Sequence, residues 1–260
     1  YAQGIQSFRT NNLTNSGTML TSYATTASTS LNASYNYAIL RFGSSPSTQG
    51  QSLFDTTSQT GTVGGTAQLS GLDTLNVKYA HTQTEFTASS PSTSSPSASF
   101  ITDSAIIGWS RTLTPNFSAE VGGGGIMISP GITTYAANAA LIMNFLNNIA
   151  TISYHHSAFP SYWGADPTIL VGDIFSLSAV QKVDQQWQLS ETANYSHSFG
   201  AGGLSRDAYF ASVNIDYWVT RIWSTVLGYD YYKFDATASG SVPTDYDRHV
   251  ISLSVRATWR

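Results

Sequence analysis

The sequence has no cysteine and little charge. Charged side chains make up 10% of the 260 residues, against about 25% in typical globular domains, and the lysines are Lys78, Lys182 and Lys233. The absence of cysteine excludes a disulfide scaffold, a thiolate metal site and a cysteine nucleophile. An aromatic content of 13%, together with the low charge, excludes an intrinsically disordered chain.

Long apolar runs are missing as well. The most apolar segment, from Tyr135 to Leu146, is interrupted by Asn138 and Asn144 and is shorter than the ~18 apolar residues that a spanning helix needs. The mean hydropathy of −0.10 agrees, so a helical membrane protein is excluded. A net charge of −4 and a pI near 5.6 give no reason to expect the basic patch of a nucleic-acid-binding protein, and no nucleic-acid partner is expected.

The pattern that the sequence does carry has a period of two. In the last segment, Ile251, Leu253 and Val255 alternate with serines and Arg256, which is typical of a strand with one apolar and one polar face. Similar alternation covers 31–39, 75–80 and 209–219. Several of these segments reach roughly ten residues, the length of a tilted strand that crosses a bilayer. Their polar positions hold Ser, Thr, Asn and Gly, which suit a confined lumen better than an open surface.

Turns divide these segments into hairpins. Short connections are predicted near Ser28, Leu72-Asp73, Pro115-Asn116, Asn147-Asn148, Asp184-Gln185 and Thr220-Arg221. Mostly longer connections alternate with them, at 11–16, 44–59, 88–97, 129–131, 160–167, 200–206 and 236–246. We therefore predict a single all-β domain over residues 1–260. It is an antiparallel transmembrane β-barrel of about fourteen strands with short periplasmic turns and longer extracellular loops. Counts of twelve or sixteen stay open, because 1–10 and 18–26 are weakly patterned.

Aromatic side chains fall at two levels of these strands. Those near the short turns or the chain end are Trp109, Trp187, Trp218, Trp223 and Trp259, and those nearer the longer loops include Tyr209 and Tyr231. Two levels are typical of the aromatic girdles of outer-membrane barrels, so we expect outer-membrane lipid and lipopolysaccharide around the chain. The run Gly122–Gly125 predicts a bend or a close backbone approach rather than a phosphate loop.

Two stretches resemble a known family. Arg111–Ser118 leads into an alternating strand, and Asp245–Trp259 resembles the final strand of Gram-negative outer-membrane β-barrels. This resemblance covers nearly the whole chain and implies a location in the bacterial outer membrane. More narrowly, the later hairpins resemble barrels of bacterial exopolysaccharide-secretion systems. Such barrels usually end in an aromatic residue, whereas Arg260 follows Trp259 here, so either the assembly signal tolerates this ending or the natural chain continues. A signal peptide is expected to have been removed or to lie outside this sequence.

Five histidines raise the question of catalysis or metal binding. His155 and His156 are adjacent, so on a strand they point to opposite faces and cannot share one ion. His81, His197 and His249 lie near loop-side strand ends, without an obvious carboxylate cluster at ligand spacing. Serine is so abundant that a serine beside His155 is expected by chance. We therefore expect no catalytic residue, no metal, no cofactor and no enzyme activity.

Charged residues of the polar face are candidates for the lumen. By alternation these residues are Lys78, Glu120, Asp216, Asp230, Arg248 and Arg256. Three are basic and three acidic, so we expect weak ion selectivity at most. Pairing of these groups to stiffen the wall is an equal alternative. Glu191 breaks the alternation, and a bulge, an interfacial position or a partner contact would each accommodate it.

Three classes of function follow from this fold. A barrel of about fourteen strands leaves room for an aqueous passage, which predicts a passive outer-membrane channel for small polar solutes or the pore of a polysaccharide export system. The second class is a structural barrel that serves as sleeve or anchor for a partner protein in an envelope complex. The third, an outer-membrane enzyme, is the least favoured. A periplasmic or envelope partner and a homo-oligomer both stay open.

Overall fold

The computed structural model describes residues 12–42, 52–88, 97–161, 163–164, 168–200, 205–237 and 244–257. The strands in these ranges are β1 (Asn12–Ala24), β2 (Thr29–Phe42), β3 (Ser52–Gln68), β4 (Asp73–Ala88), β5 (Ala98–Thr114), β6 (Phe117–Ser129), β7 (Ile132–Phe145), β8 (Asn148–Ser161), β9 (Trp163–Gly164), β10 (Thr168–Lys182), β11 (Trp187–Phe199), β12 (Ser205–Trp218), β13 (Trp223–Thr237) and β14 (Thr244–Ala257). Within the same ranges, no helix is long and apolar enough to cross a membrane.

Thirteen of these strands form one antiparallel sheet. β1 to β8 follow each other in chain order and the sheet continues through β10 to β14, each strand hydrogen-bonded to the next. The two-residue β9 stands apart and pairs with β3. In the described part of the chain, β1 and β14 each pair on one side and are the ends of the path. The predicted all-β antiparallel architecture is confirmed. The even strand count stays a prediction, since residues 1–10 lie outside the described ranges.

The six short turns lie where the sequence predicts them. They occupy 25–28, 69–72, 115–116, 146–147, 183–186 and 219–222, and we call this end of the sheet the short-turn rim and the other end the long-loop rim. Asp184 Oδ1 accepts hydrogen bonds of 2.7 Å from the backbone nitrogens of Gln186 and Trp187, the local bonding that favours Asp in turns. At the long-loop rim, Gly131 has a φ of +87°, which glycine adopts without steric cost.

Several predicted loops are partly strand, and the longest continuous overlaps are in two of them. Asn12–Ser16 belongs to β1 and pairs with residues 38–42 of β2, and residues 52–59 belong to β3. The loop predictions were wrong there because Ser, Thr and Asn favour turns only locally. The cross-strand ladder pairs their backbone groups and overrides that preference.

Burial on the two faces of the sheet is the reverse of burial in a soluble β-sandwich. On one face, Leu253 is 73% exposed and Val77 is 50% exposed. On the other, Thr56, Ser212 and Ser224 are 3%, 7% and 0% exposed. We call these the outer face and the inner face. The sheet thus presents apolar side chains to its surroundings and turns its polar face inward, as in a transmembrane barrel.

The glycine run of β6 lets two backbones approach closely. A Cβ on Gly124 would overlap the carbonyl oxygen of Ala105 in β5. Gly124 pairs with Ile106 at this point, and a residue with a Cβ would force the two strands apart. The close approach predicted from Gly122–Gly125 is confirmed.

Adjacent residues of β12 test the two faces. Val213 lies on the outer face and Asn214 on the inner face. We expect Val213→Arg to reduce membrane assembly strongly, because a lipid-facing arginine near the midplane costs about 2–4 kcal/mol. Asn214→Arg should assemble nearly as the unchanged protein does, because its guanidinium reaches water. Heat-modifiable gel migration measures assembly, and equal assembly of the two variants would contradict the assignment of faces.

Candidate functional site

The hairpin of β8 and β10 leaves the wall of the sheet near its tip. β7 pairs with β8 as far as Ala137 opposite His156. Beyond that point β8 pairs with β10 alone, up to Ser161 opposite Thr168, while the first residues of β7 pair with β6. We call residues 157–161 and 168–172 the inner ribbon.

Apolar side chains of the inner ribbon are buried where those of the wall are exposed. Ile169 and Val171 are 4% and 3% exposed, whereas Phe175, on the same side of β10, is 49% exposed. They form one cluster with four side chains of the inner face, Phe86, Ile126, Ile128 and Ala136. The ribbon therefore lies inside the sheet and packs on the inner face of β4, β6 and β7. Burying each large apolar side chain contributes about 1.5–3 kcal/mol to this packing.

The connection at the tip of the inner ribbon reaches a distant part of the sheet. In β9, Gly164 pairs with Ser52 and Trp163 with Leu53, at the start of β3. Four strands separate β3 from β8 in the sheet order, so β9 pairs with a strand far from the one that it follows in the chain. At Gly172 the backbone of β10 lies so close to β11 that a Cβ would overlap the carbonyl oxygen of His197. The ribbon narrows the interior at the long-loop rim.

A buried histidine holds the base of the inner ribbon. His156 is 2% exposed, and its Nδ1 lies 2.8 Å from Asp173 Oδ1. Its Nε2 lies 3.3 Å from Thr134 Oγ1, and its ring stacks on Tyr135 with centroids 3.9 Å apart. The imidazole thus joins β7, β8 and β10 at the point where the ribbon departs. His155 lies on the opposite side of β8, as the alternation predicts.

The six residues predicted to line a lumen lie on inner-face positions. They are Lys78 in β4, Glu120 in β6, Asp216 in β12, Asp230 in β13, and Arg248 and Arg256 in β14. Asp216 is 6% exposed and its Oδ1 lies 3.5 Å from Arg256 Nη1. Glu120 Oε1 accepts a hydrogen bond of 3.2 Å from Asn138 Nδ2. Two of the six charges are therefore paired with each other, and a third is bound to an amide.

The register adds two basic residues to this set. Lys182 pairs with Gln188, and Arg206 pairs with Ser198, both inner-face positions. Sequence reasoning missed them because Lys182 ends its strand and residue 206 was assigned to a loop. Over the described strands, the inner face thus carries five basic and three acidic side chains. The inner face therefore has more basic than acidic side chains, whereas the sequence predicted equal numbers of the two.

The aromatic residues predicted for the girdles do not all share one face. Trp109, Trp187 and Trp223, near the short turns, lie on the outer face, as do Tyr209 and Tyr231 nearer the long-loop rim. Trp218 pairs with the fully buried Ser224 and is on the inner face. Its assignment to an outward girdle was therefore wrong, because it is an even-numbered position in a strand whose odd positions face outward. Trp259 lies outside the described residues.

Glu191 lies on the outer face in regular pairing. It is opposite Ala179 in β10 and Val213 in β12, without a shift of register. Of the three explanations that the sequence left open, a bulge is excluded.

Three sets of Tyr, His and Asp repeat on the outer face toward the long-loop rim. In each set, a tyrosine hydroxyl and a histidine Nδ1 from one strand lie within 3.0 Å of the same aspartate oxygen on the next strand. The sets are Tyr79, His81 and Asp103; Tyr154, His156 and Asp173; and Tyr195, His197 and Asp207. Each set satisfies a carboxylate beside the apolar outer face, where an unpaired charge would be costly. The sequence signal was the spacing Tyr-x-His, which occurs in all three.

His156 and His81 allow a matched test of the inner ribbon. Both bind an aspartate, but His156 lies at the ribbon's base, whereas His81 lies in β4 opposite Gly61 and Asp103, away from β8 and β10. Ala136 is 3% exposed beneath the ribbon, and a cysteine placed there would be the only thiol of this sequence. We expect His156→Ala to raise the thiol-labelling rate of Ala136→Cys about tenfold, because losing such polar contacts costs about 1–3 kcal/mol. His81→Ala should leave that rate unchanged, and equal rates for both variants would contradict the role of His156.

Comparison with known proteins identifies the fold. No family model and no curated protein matches the chain. The siderophore receptor PirA from Pseudomonas aeruginosa has a TM-score of 0.52 and 12% identity, over 94% of this chain and 55% of the receptor. The siderophore receptor PiuA from Acinetobacter baumannii gives 0.51 and 12%, over 90% and 49%. The match to OmpT, an outer membrane protein of Vibrio cholerae, covers 95% of each chain at 11% identity with a TM-score of 0.47. The chain spans about half the length of the receptors.

The prediction that the chain is not an enzyme was wrong, because it excluded a class of function that this fold allows. It depended on finding no obvious carboxylate cluster near the histidines and on serine being abundant enough to lie beside His155 by chance, yet three histidines contact aspartates. A fold shared at 12% identity with PirA does not decide whether a barrel is catalytic. Nothing in the described residues positively shows an enzyme either, and no reaction is assigned.

The fold is that of Gram-negative outer-membrane β-barrels. The narrower resemblance to exopolysaccharide-secretion barrels is not supported by these comparisons. The outer face exposes a broad apolar surface, with Ile107 and Ile152 at 59% and 50% exposure, as a surface in contact with lipid requires. This surface and the fold together confirm the predicted location in the bacterial outer membrane.

Proposed function

We propose that the chain is an outer-membrane channel that gives passive, weakly selective passage to small polar solutes. The observation that carries this proposal is the chemistry of the inner face. Its positions in β2 and β3 hold small neutral side chains such as Ser34, Asn36 and Thr60. Hydroxyls such as those of Thr60 and Thr82, 3.0 Å apart, lie along it. Such a wall hydrates readily and binds no single solute strongly.

The inner ribbon supports a channel over the alternative of a sleeve for another protein. Part of the interior is already filled by the ribbon and its packing on Ile126 and Ile128. A sleeve would leave that space to its partner. The similar barrels PirA and PiuA are named siderophore receptors, which agrees with transport in general. Their cargo is not assigned to this chain, which spans half their length.

The inner-face charges predict the ion selectivity of the channel. In planar bilayers, the purified protein should give stable conductance with anions favoured over cations, within roughly threefold of unity. The reason is the small basic excess of the inner face, with Lys78 among the residues that face the passage. Reversal potentials in a salt gradient measure the preference. A protein that is assembled but does not conduct would overturn the channel and favour the sleeve.

A pair of lysine substitutions tests whether the inner face sets this preference. Lys78→Glu should move selectivity toward cations. Lys233 lies on the outer face, opposite Tyr209 and Asp247, so Lys233→Glu should leave the reversal potential unchanged. The same shift with both variants would show that the inner face does not control permeation.

A further inference from the structure

Aromatic side chains of the inner face gather on the last three strands. Phe210, Tyr232 and Arg248 lie directly opposite one another in β12, β13 and β14. In the next row toward the long-loop rim, Phe234 lies opposite Tyr246. We call these five residues the aromatic platform.

The rings of the aromatic platform are arranged as a surface. The centroids of Phe210 and Tyr232 are 4.9 Å apart and their planes are inclined by 37°. Arg206 supports the platform from one end, with its Cζ 6.0 Å from the Phe234 ring centroid. The four rings are half-buried and Arg248 is exposed, so part of each ring is open to the interior.

Other aromatic side chains of the inner face have a packing role that the platform lacks. Phe86 and Phe100 form an edge-to-face pair with centroids 5.7 Å apart, within the cluster beneath the inner ribbon. The platform lies on the last three strands of the sheet order, and its residues are not part of that cluster. The ribbon therefore fills the side of the interior near β4 to β7 and leaves the platform beside the passage.

We infer that the aromatic platform binds the sugar rings of a neutral oligosaccharide during passage. The negative face of an aromatic ring attracts the weakly positive C–H groups on the apolar face of a pyranose. Arg248 supplies hydrogen-bond donors and Asp230, in the adjacent row of β13, supplies acceptors for the hydroxyl groups. These two charges cancel on the open part of the platform, and Arg206 is half-buried at its end, which favours a neutral polyhydroxylated ligand over an anion or a cation. The inference rests on the proposed channel and names its class of solute.

Calorimetric titration of the detergent-purified protein tests the inference without requiring conduction. The probes are six-unit gluco-oligosaccharides, one α-1,4-linked and one β-1,4-linked, with 4-hydroxybenzoate as an aromatic anion. We expect saturable binding of at least one oligosaccharide and weaker binding of the anion. Tyr232→Ala and Arg248→Met should each lower the oligosaccharide affinity about three- to tenfold.

Three further variants and a bilayer recording complete the test. Tyr229→Ala, three positions along β13 on the outer face, should bind as the unchanged protein does. Tyr232→Phe keeps the ring and should retain affinity. If Tyr232→Ala fails to assemble, Phe210→Leu replaces it as the variant that weakens the platform.

Three results would overturn the inference: no saturable binding, tighter binding of 4-hydroxybenzoate than of either oligosaccharide, or an affinity that neither platform substitution changes. If the protein conducts but binds no oligosaccharide, the channel proposal holds and only the proposed ligand class is wrong. If it binds oligosaccharide but does not conduct, the result supports the platform and contradicts the channel.

Discussion

The hydrogen-bonded ladder between neighbouring strands is the constraint on which the rest of the structure depends. Lipid offers no partners to backbone N–H and C=O groups, so each strand must satisfy them with its neighbours. This is why residues rich in Ser and Thr, such as Asn12–Ser16, are strand rather than loop. It is also why thirteen strands follow one another in a single antiparallel path. Once the ladder is formed, a period of two sends alternate side chains to lipid and to the interior.

Departures from the ladder coincide with the features that give the interior its shape. Beyond His156 the hairpin of β8 and β10 is released from β7 and turns inward. Inside a polar lumen, its apolar side chains Ile169 and Val171 would lack an apolar partner. They have one because the inner face at this place is apolar, with Ile126 and Ile128. The ribbon thus explains why inner-face positions of β6 hold apolar side chains. A strand with apolar side chains on its inner face is a mark of something packed inside the sheet.

Local patterns in the sequence predicted the class of fold, the short turns and the inner placement of six charged residues. Each follows from alternation or from turn chemistry, which a single segment contains. The inner ribbon could not be predicted, because Ile169 and Val171 look like ordinary outward residues of a strand until β10 is known to leave the wall. The Tyr–His–Asp sets depend on register across two strands, which a spacing within one strand does not give. Trp218 was misplaced for the related reason that nearness to a turn does not decide the face.

The inner face is therefore uneven from strand to strand, and this unevenness bears on the selectivity of the proposed channel. An evenly lined passage discriminates by size and by net charge alone. Here the ribbon occupies the side of β4 to β7, and the strands from β12 to β14 carry rings, Arg248 and Asp230 on the side left open. In the channel that we propose, a solute that passes the inner ribbon would be brought against those strands, and contact with a chemically distinct wall would add discrimination by shape and hydroxylation. Because the ribbon is held by His156 through a few contacts at its base, the same hairpin would then set both the width of the proposed passage and the solute's exposure to that wall.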